Sequence, residues 1–168
     1  MSNTKILFLD YDGVVNTPMW NPDGKRCRYN MPEDGKVNNF QAVQWVSEFC
    51  EKFGFAIVVT SDWRRDSNWL ECLVNGGLRE TVKVIDKTGE DKTRGREIDN
   101  WLKEHPEVEY YYILDDLDQV MGKQKPHFIQ TDPSVGFSMT EFMRLRKKYL
   151  EDVDAKEQEA KICGKIPV

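Results

Sequence analysis

The chain has 168 residues, of which 39% are hydrophobic and 32% charged, and a formal net charge of −5. That length suits one domain burying about two thirds of its unfolded surface, and the composition excludes wholesale disorder. The acidic balance argues against a broadly basic nucleic-acid clamp, and no apolar run approaches the roughly 20 residues needed to cross a bilayer.

The start, MSNTKILFLDYD, lacks the long apolar stretch and small-residue cleavage site of a signal peptide, so the expected compartment is the cytoplasm. KILFLD opens the chain as a buried strand, a run of apolar residues ending in a polar one. Residues 17–36 carry Pro18, Pro22, Pro32, Gly24 and Gly35 and read as a long loop or short flap. Val37, Phe40, Val43, Val46, Phe49 and Phe53 then recur at spacings of three and four, which puts them on one helical face closed by Gly54.

FAIVVT is the second strand, and SDWRRDSNWLECLV predicts a second helix with Trp69, Leu70 and Leu73 inward. VKVID gives a third strand, REIDNWLKEH a third helix with Ile98, Trp101 and Leu102 on one side, and YYYILD a fourth strand. HFIQT is a weaker fifth. A last helix starts near Ser138, with Phe142, Leu145 and Tyr149 inward, and passes into a charged tail, EDVDAKEQEAK, expected to be a solvated extension or frayed. The order of strands and helices predicts an α/β fold of one domain over 1–168, an open, mostly parallel sheet of about five strands with helices on both faces. The charged helical tail would occupy 150–168. Cys27, Cys50, Cys72 and Cys163 lie far apart without a CxxC pair, which predicts reduced thiols rather than a zinc site.

Ligands of open parallel sheets bind outside the carboxyl ends of the strands. There the first strand ends in Asp10 and Asp12, the second in Thr60 and Ser61, and the fourth in Asp115 and Asp116. Four carboxylates gathered in a partly desolvated place repel one another unless a cation neutralises them, and hard oxygen ligands suit Mg²⁺. Alternation puts positions 10 and 12 on one side with Tyr11 opposite, and Gly13 lets the chain turn without a side chain obstructing a substrate. A carboxylate so placed can attack phosphorus while a second carboxyl protonates the leaving oxygen.

DYDGVVN, IVVTS and ILDD, in this order, resemble the first, second and fourth motifs of the haloacid dehalogenase (HAD) superfamily. The resemblance covers Lys5 to about Tyr149 and implies a three-layer Rossmann-like sheet, Mg²⁺ dependence and, most often, phosphatase activity. By position Asp10 would be the nucleophile and Asp12 the general acid/base that also gives the metal a backbone carbonyl. Thr60 would bind phosphate, and Asp115 and Asp116 would complete the metal site. The cation of the third motif falls on Lys92 or Arg94: RGREI matches the family's lysine–glycine pattern at Arg94, whereas lysine chemistry favours Lys92.

TSDWR, RGREIDNWL, LDDLDQV and TDPSVGFS are most similar to the HAD domain of Swiss Army Knife RNA-repair proteins, and more loosely to the phosphatase half of polynucleotide kinase-phosphatases. With no large insertion, the cap would be minimal, only the flap after the first strand, and an open site admits a phosphate on a small molecule or on a nucleic-acid end. Arg64 offers a guanidinium fork for that phosphate, with a surface salt bridge as the other reading. Lys25, Arg26, Arg28, Trp20 and Tyr29 offer charge and stacking, or simply an exposed flap. Arg144, Arg146, Lys147 and Lys148 read as a solvated helix face, and neither His105 nor His127 has a catalytic context. Two functions follow: a Mg²⁺-dependent phosphomonoester hydrolase, or a non-catalytic HAD-fold module binding RNA or a protein partner.

Overall fold

The computed structural model describes residues 5–18 and 35–164. Five parallel strands, β1 (Lys5–Leu9), β2 (Ala56–Val59), β3 (Val84–Lys87), β4 (Tyr110–Asp115) and β5 (Phe128–Gln130), form one sheet in the order β3-β2-β1-β4-β5. The four helices are α1 (Phe40–Phe53), α2 (Trp69–Asn75), α3 (Arg94–Glu104) and α4 (Met139–Ile162). The architecture is the three-layer Rossmann-like α/β sheet expected from the alternating pattern. The central strands β1 and β2 are apolar because both of their faces are covered.

Alternation divides the strand side chains between two cores. Leu7, Leu9, Ile57, Val59 and Leu114 pack with residues of α1, α2 and α4, whereas Ile6, Phe8, Val58 and Ile113 pack with Ile98 and Trp101 of α3. Phe49 is the hub of the first core, its ring 5.0 Å from both Phe53 and Phe55 and 6.1 Å from Phe142. The ends of α1 follow from its sequence. The Asn39 side chain accepts from the Ala42 amide at 3.0 Å, and Gly54 takes φ 73° to close the helix.

One element departs from the sequence pattern. The stretch predicted as one helix over 61–74 is a 3₁₀ turn, Asp62–Arg65, followed by the short α2; Asp66 is extended between them, and Leu70 lies outward. The helical period fails there because Arg64 is drawn inward by polar partners and Trp63 by both the Tyr11 ring and the Asp12 carboxylate. The charged tail is a solvated extension, as expected, and stays helical to Ile162 with mostly exposed side chains. Lys156 ties it to the start of β4, donating to the Glu109 carbonyl at 2.7 Å and lying 3.8 Å from the centre of the Tyr110 ring. The expected flap and its basic and aromatic residues, Trp20, Lys25, Arg26, Arg28 and Tyr29, lie outside the described residues, as does Cys27. Among those described, Cys50, Cys72 and Cys163 are free thiols, and no helix is long and apolar enough to cross a membrane.

Truncating the hub of the first core, Phe49→Ala, is expected to cost about 3–5 kcal/mol, read as a lower midpoint in chemical denaturation.

Candidate active site

The strand register lines up the site. Asp10 donates its amide to the Leu114 carbonyl, Thr60 to Leu9, and Thr88 to Val59, each at 2.9–3.0 Å, so the ladder extends one residue past the strand ends. One row therefore crosses the sheet as Thr88, Thr60, Asp10, Asp115, with neighbouring strands about 4.8 Å apart. Each member follows by two a residue turned toward α3, namely Asp86, Val58, Phe8 and Ile113, so alternation turns all four toward the α3 layer.

Asp10 and Asp115 are buried, and Asp116 is half-buried beside them. Among the described residues, these three offer carboxylate oxygens that all lie within 4.8 Å of one another. Burial first, and then the charge of Asp115, holds the Asp10 carboxyl well above the usual carboxylate range. Burial likewise raises Asp115 against the pull of Arg94, and burial with the Asp115 charge pushes Asp116 up to about 6. Close hard oxygens that resist sharing negative charge fit a small divalent cation. Gly13 makes this closeness possible. A Cβ there would meet the Asp116 carboxyl carbon at 2.5 Å, and the backbone has φ +75°.

Arg94 is the cation that meets this cluster. Its Nε donates to Asp115 Oδ2 at 3.1 Å, and its guanidinium lies 3.6 Å from Asp10 and 3.3 Å from Glu97. A positive side chain on the first residue of α3 opposes the helix dipole, so the three carboxylates must supply its compensation. The first turn of α3 is docked through Gly95. Its amide donates to the Gln119 carbonyl at 3.0 Å, and its carbonyl accepts from the fully buried Gln124 at 2.8 Å. A Cβ at Gly95 would meet the Met121 amide nitrogen at 2.7 Å. Lys92, the other candidate for this role, is exposed and makes no ion pair with these aspartates among the described residues. Lying two residues ahead of Arg94, it stands before the helix turn that aims a side chain inward.

Arg64 is a second correction. Its side chain is 2% exposed and cannot fork onto a substrate, because its donors are already engaged. They reach the carbonyls of Thr60, Ser61, Thr88 and Gly89 at 2.7–3.2 Å and Glu97 Oε1 at 2.8 Å. Arg64 thus clamps the ends of β2 and β3 to the first turn of α3, and Glu97 links it to Arg94. Ser61 is also turned to local structure, its Oγ accepting from the Trp63 amide at 3.3 Å to cap the 3₁₀ turn.

Thr60 is fully buried, and its hydroxyl has no hydrogen-bond partner among the described residues; the same holds for the hydroxyl of Thr88. A buried hydroxyl without a partner costs about 1–3 kcal/mol, so orphaned groups in this row are suited to ligand oxygens. Thr88 escaped the sequence reading, although a signal was present: it follows VIDK at the end of β3 as Thr60 follows AIVV at the end of β2.

Asp12 stands apart from the three clustered carboxylates. Just before the Gly13 turn, its Oδ1 accepts from Asn16 at 2.8 Å and its Oδ2 from the Trp63 indole at 3.1 Å. Burial raises its pKa above the usual carboxylate value, while both donors oppose the rise. The model of the family described as HAD domain in Swiss Army Knife RNA repair proteins matches residues 6–142, which include all of these groups. The chain belongs to that family. A search of the curated proteins finds no match. In this HAD domain the matched span holds the first-strand aspartates, the second-strand threonine, Arg94 and the fourth-strand acidic pair.

Two outcomes test this geometry. Arg64→Met leaves Glu97 and four carbonyls without their donor and should destabilise the domain by about 3–5 kcal/mol, whereas Arg65→Met, at an exposed position, should leave the denaturation midpoint near that of the parent. The second concerns pH. A folded-state pKa of about 6 at Asp116 lies above the unfolded value, so the native state holds this proton more tightly and the stability it contributes is lost as pH rises through about 6. In thermal melts after chelation, Asp116→Asn should therefore exceed the parent at pH 7.5, with the gap closing toward pH 5. Added Mg²⁺ should narrow it at pH 7.5 by stabilising the parent.

Proposed function

We propose that this HAD domain is a Mg²⁺-dependent phosphomonoester hydrolase working through an aspartyl-phosphate intermediate. The observation that carries this reading is the convergence of Asp10, Asp115 and Asp116 beside Arg94, in register with the unpartnered Thr60 hydroxyl. Asp10, Asp115, Asp116 and the Asp12 carbonyl would hold the ion, which when bound neutralises the carboxylates and the phosphate oxygens.

An oxygen of Asp10 attacks phosphorus, the bond from phosphorus to the ester oxygen breaks, and its electron pair leaves with that oxygen, which takes a proton from the Asp12 carboxyl. Water then attacks the phosphorus while the Asp12 carboxylate takes its proton. The phosphorus–Asp10 bond breaks, releasing inorganic phosphate and restoring both carboxyl groups to their starting forms. Arg94 steadies Asp10 and the phosphoryl oxygens as charge shifts between them, and the Thr60 hydroxyl donates to one of those oxygens. Gly13 keeps the approach open.

The substrate class is a phosphate on a nucleotide or a nucleic-acid end, the reading favoured by the RNA-repair context of the family. A phosphorylated small molecule uses the same chemistry. A cytoplasmic, membrane-free enzyme is the corresponding setting.

Purified protein should hydrolyse an aryl phosphate and 3′- or 5′-phosphorylated oligonucleotides only with Mg²⁺, and Asp10→Asn should reduce turnover by about 1,000-fold or more. A parent that binds a phosphorylated oligonucleotide tightly yet releases no phosphate would instead establish the non-catalytic binding module.

A further inference from the structure

Resting on the hydrolase reading above, we propose that Trp63 is the positioning residue of the acid/base Asp12, fixing through its indole N–H which carboxyl oxygen faces the leaving group. The arrangement is a chain of constraints built from the opposite side of the sheet to Arg94. Trp63 is 7% exposed, and its indole Nε1 donates to Asp12 Oδ2 at 3.1 Å. Its ring stands edge-on to Tyr11, with centroids 5.6 Å apart at 78°. Tyr11 is itself fully buried, and its hydroxyl donates to the Trp69 carbonyl at 2.8 Å, so neither ring can turn without breaking a buried contact. The Trp63 amide is held by Ser61 Oγ at the start of the 3₁₀ turn.

Asn16 completes the grip from the other side. Its Nδ2 donates to Asp12 Oδ1 at 2.8 Å, and its own Oδ1 accepts from the Asn38 amide at 3.2 Å. Asp12 is therefore held at both oxygens while Asp10 is held at the Arg94 side. The nucleophile and the acid/base, two residues apart in sequence, are set by separate layers of the fold. An indole N–H can donate but not accept, so Trp63 takes no part in moving the proton; it determines where the carboxyl that does so is aimed.

The leaving group supplies the test. A 4-nitrophenolate departs without protonation, whereas an alkyl or nucleoside oxygen needs the proton that Asp12 delivers. Trp63→Phe keeps a ring against Tyr11 but removes the donor. With Mg²⁺ present, kcat/KM for a nucleoside monophosphate should fall by about 100-fold, while kcat/KM for 4-nitrophenyl phosphate falls by less than about threefold, so that log kcat/KM depends more steeply on leaving-group pKa. If Trp63→Phe does not fold, the benzothienyl analogue of tryptophan placed at position 63, with sulfur in place of N–H and the same ring shape, gives the same comparison. Equal losses on both substrates, or an unchanged slope, would overturn the role of Trp63 while leaving an active hydrolase. A parent inactive on both substrates would overturn the hydrolase reading and this one with it.

Discussion

Like charges forced together at the ends of parallel strands are the constraint around which this domain is built. Asp10, Asp115 and Asp116 would separate if the backbone let them, and burial raises the cost of keeping each ionised. The fold keeps them close with the register of β1 and β4 and with the missing side chain at Gly13. Arg94 answers part of the charge. The remainder leaves an electrostatic opening whose oxygen donors suit a divalent cation.

Holding Arg94 there takes more of the molecule than the site itself. A guanidinium at a helix start sits against the dipole, and its position is fixed by contacts behind it rather than by the helix. Gly95 lets the first turn of α3 press against the loop after β4, with Gln124 bridging the two backbones. Glu97 joins Arg94 to the buried Arg64, and Arg64 gathers carbonyls from the ends of β2 and β3. The strand ends carrying Thr60 and Thr88 and the helix carrying Arg94 thus form one hydrogen-bonded unit. A charge buried in this way gives little net stability but is costly to remove, which suits a part whose purpose is geometry.

The site draws on both faces of the sheet. Asp10 and Asp115 look toward the α3 layer, whereas Tyr11 enters the opposite core and brings Trp63 with it to Asp12. The three residues that follow β1, Asp-Tyr-Asp, therefore go to three different places. One carboxylate goes to the charged cluster, the tyrosine anchors the opposite core, and the other carboxylate, just before the Gly13 turn, meets a different set of donors.

How much of this was legible follows from which interactions are local. Runs of apolar residues ending in Asp or Thr marked the strands and their carboxyl ends, because a strand covered on both faces must be continuously apolar and because polar residues there have few other uses. Spacings of three and four marked α1, α3 and the inner face of α4 for the same reason. What the sequence by itself determined was thus the parallel α/β layout and the set of acidic residues at its upper edge. Only the tertiary structure brought Arg94 rather than Lys92 against the aspartates, turned Arg64 from a surface fork into a buried clamp, aligned Thr88 with Thr60, and set Trp63 against Asp12. Each of these depends on partners 21 to 51 positions apart or on the packing of one layer against another, as in Arg94 with Asp115 and Trp63 with Asp12. A periodic pattern reports which face of an element is buried; it carries no record of which distant polar group waits there.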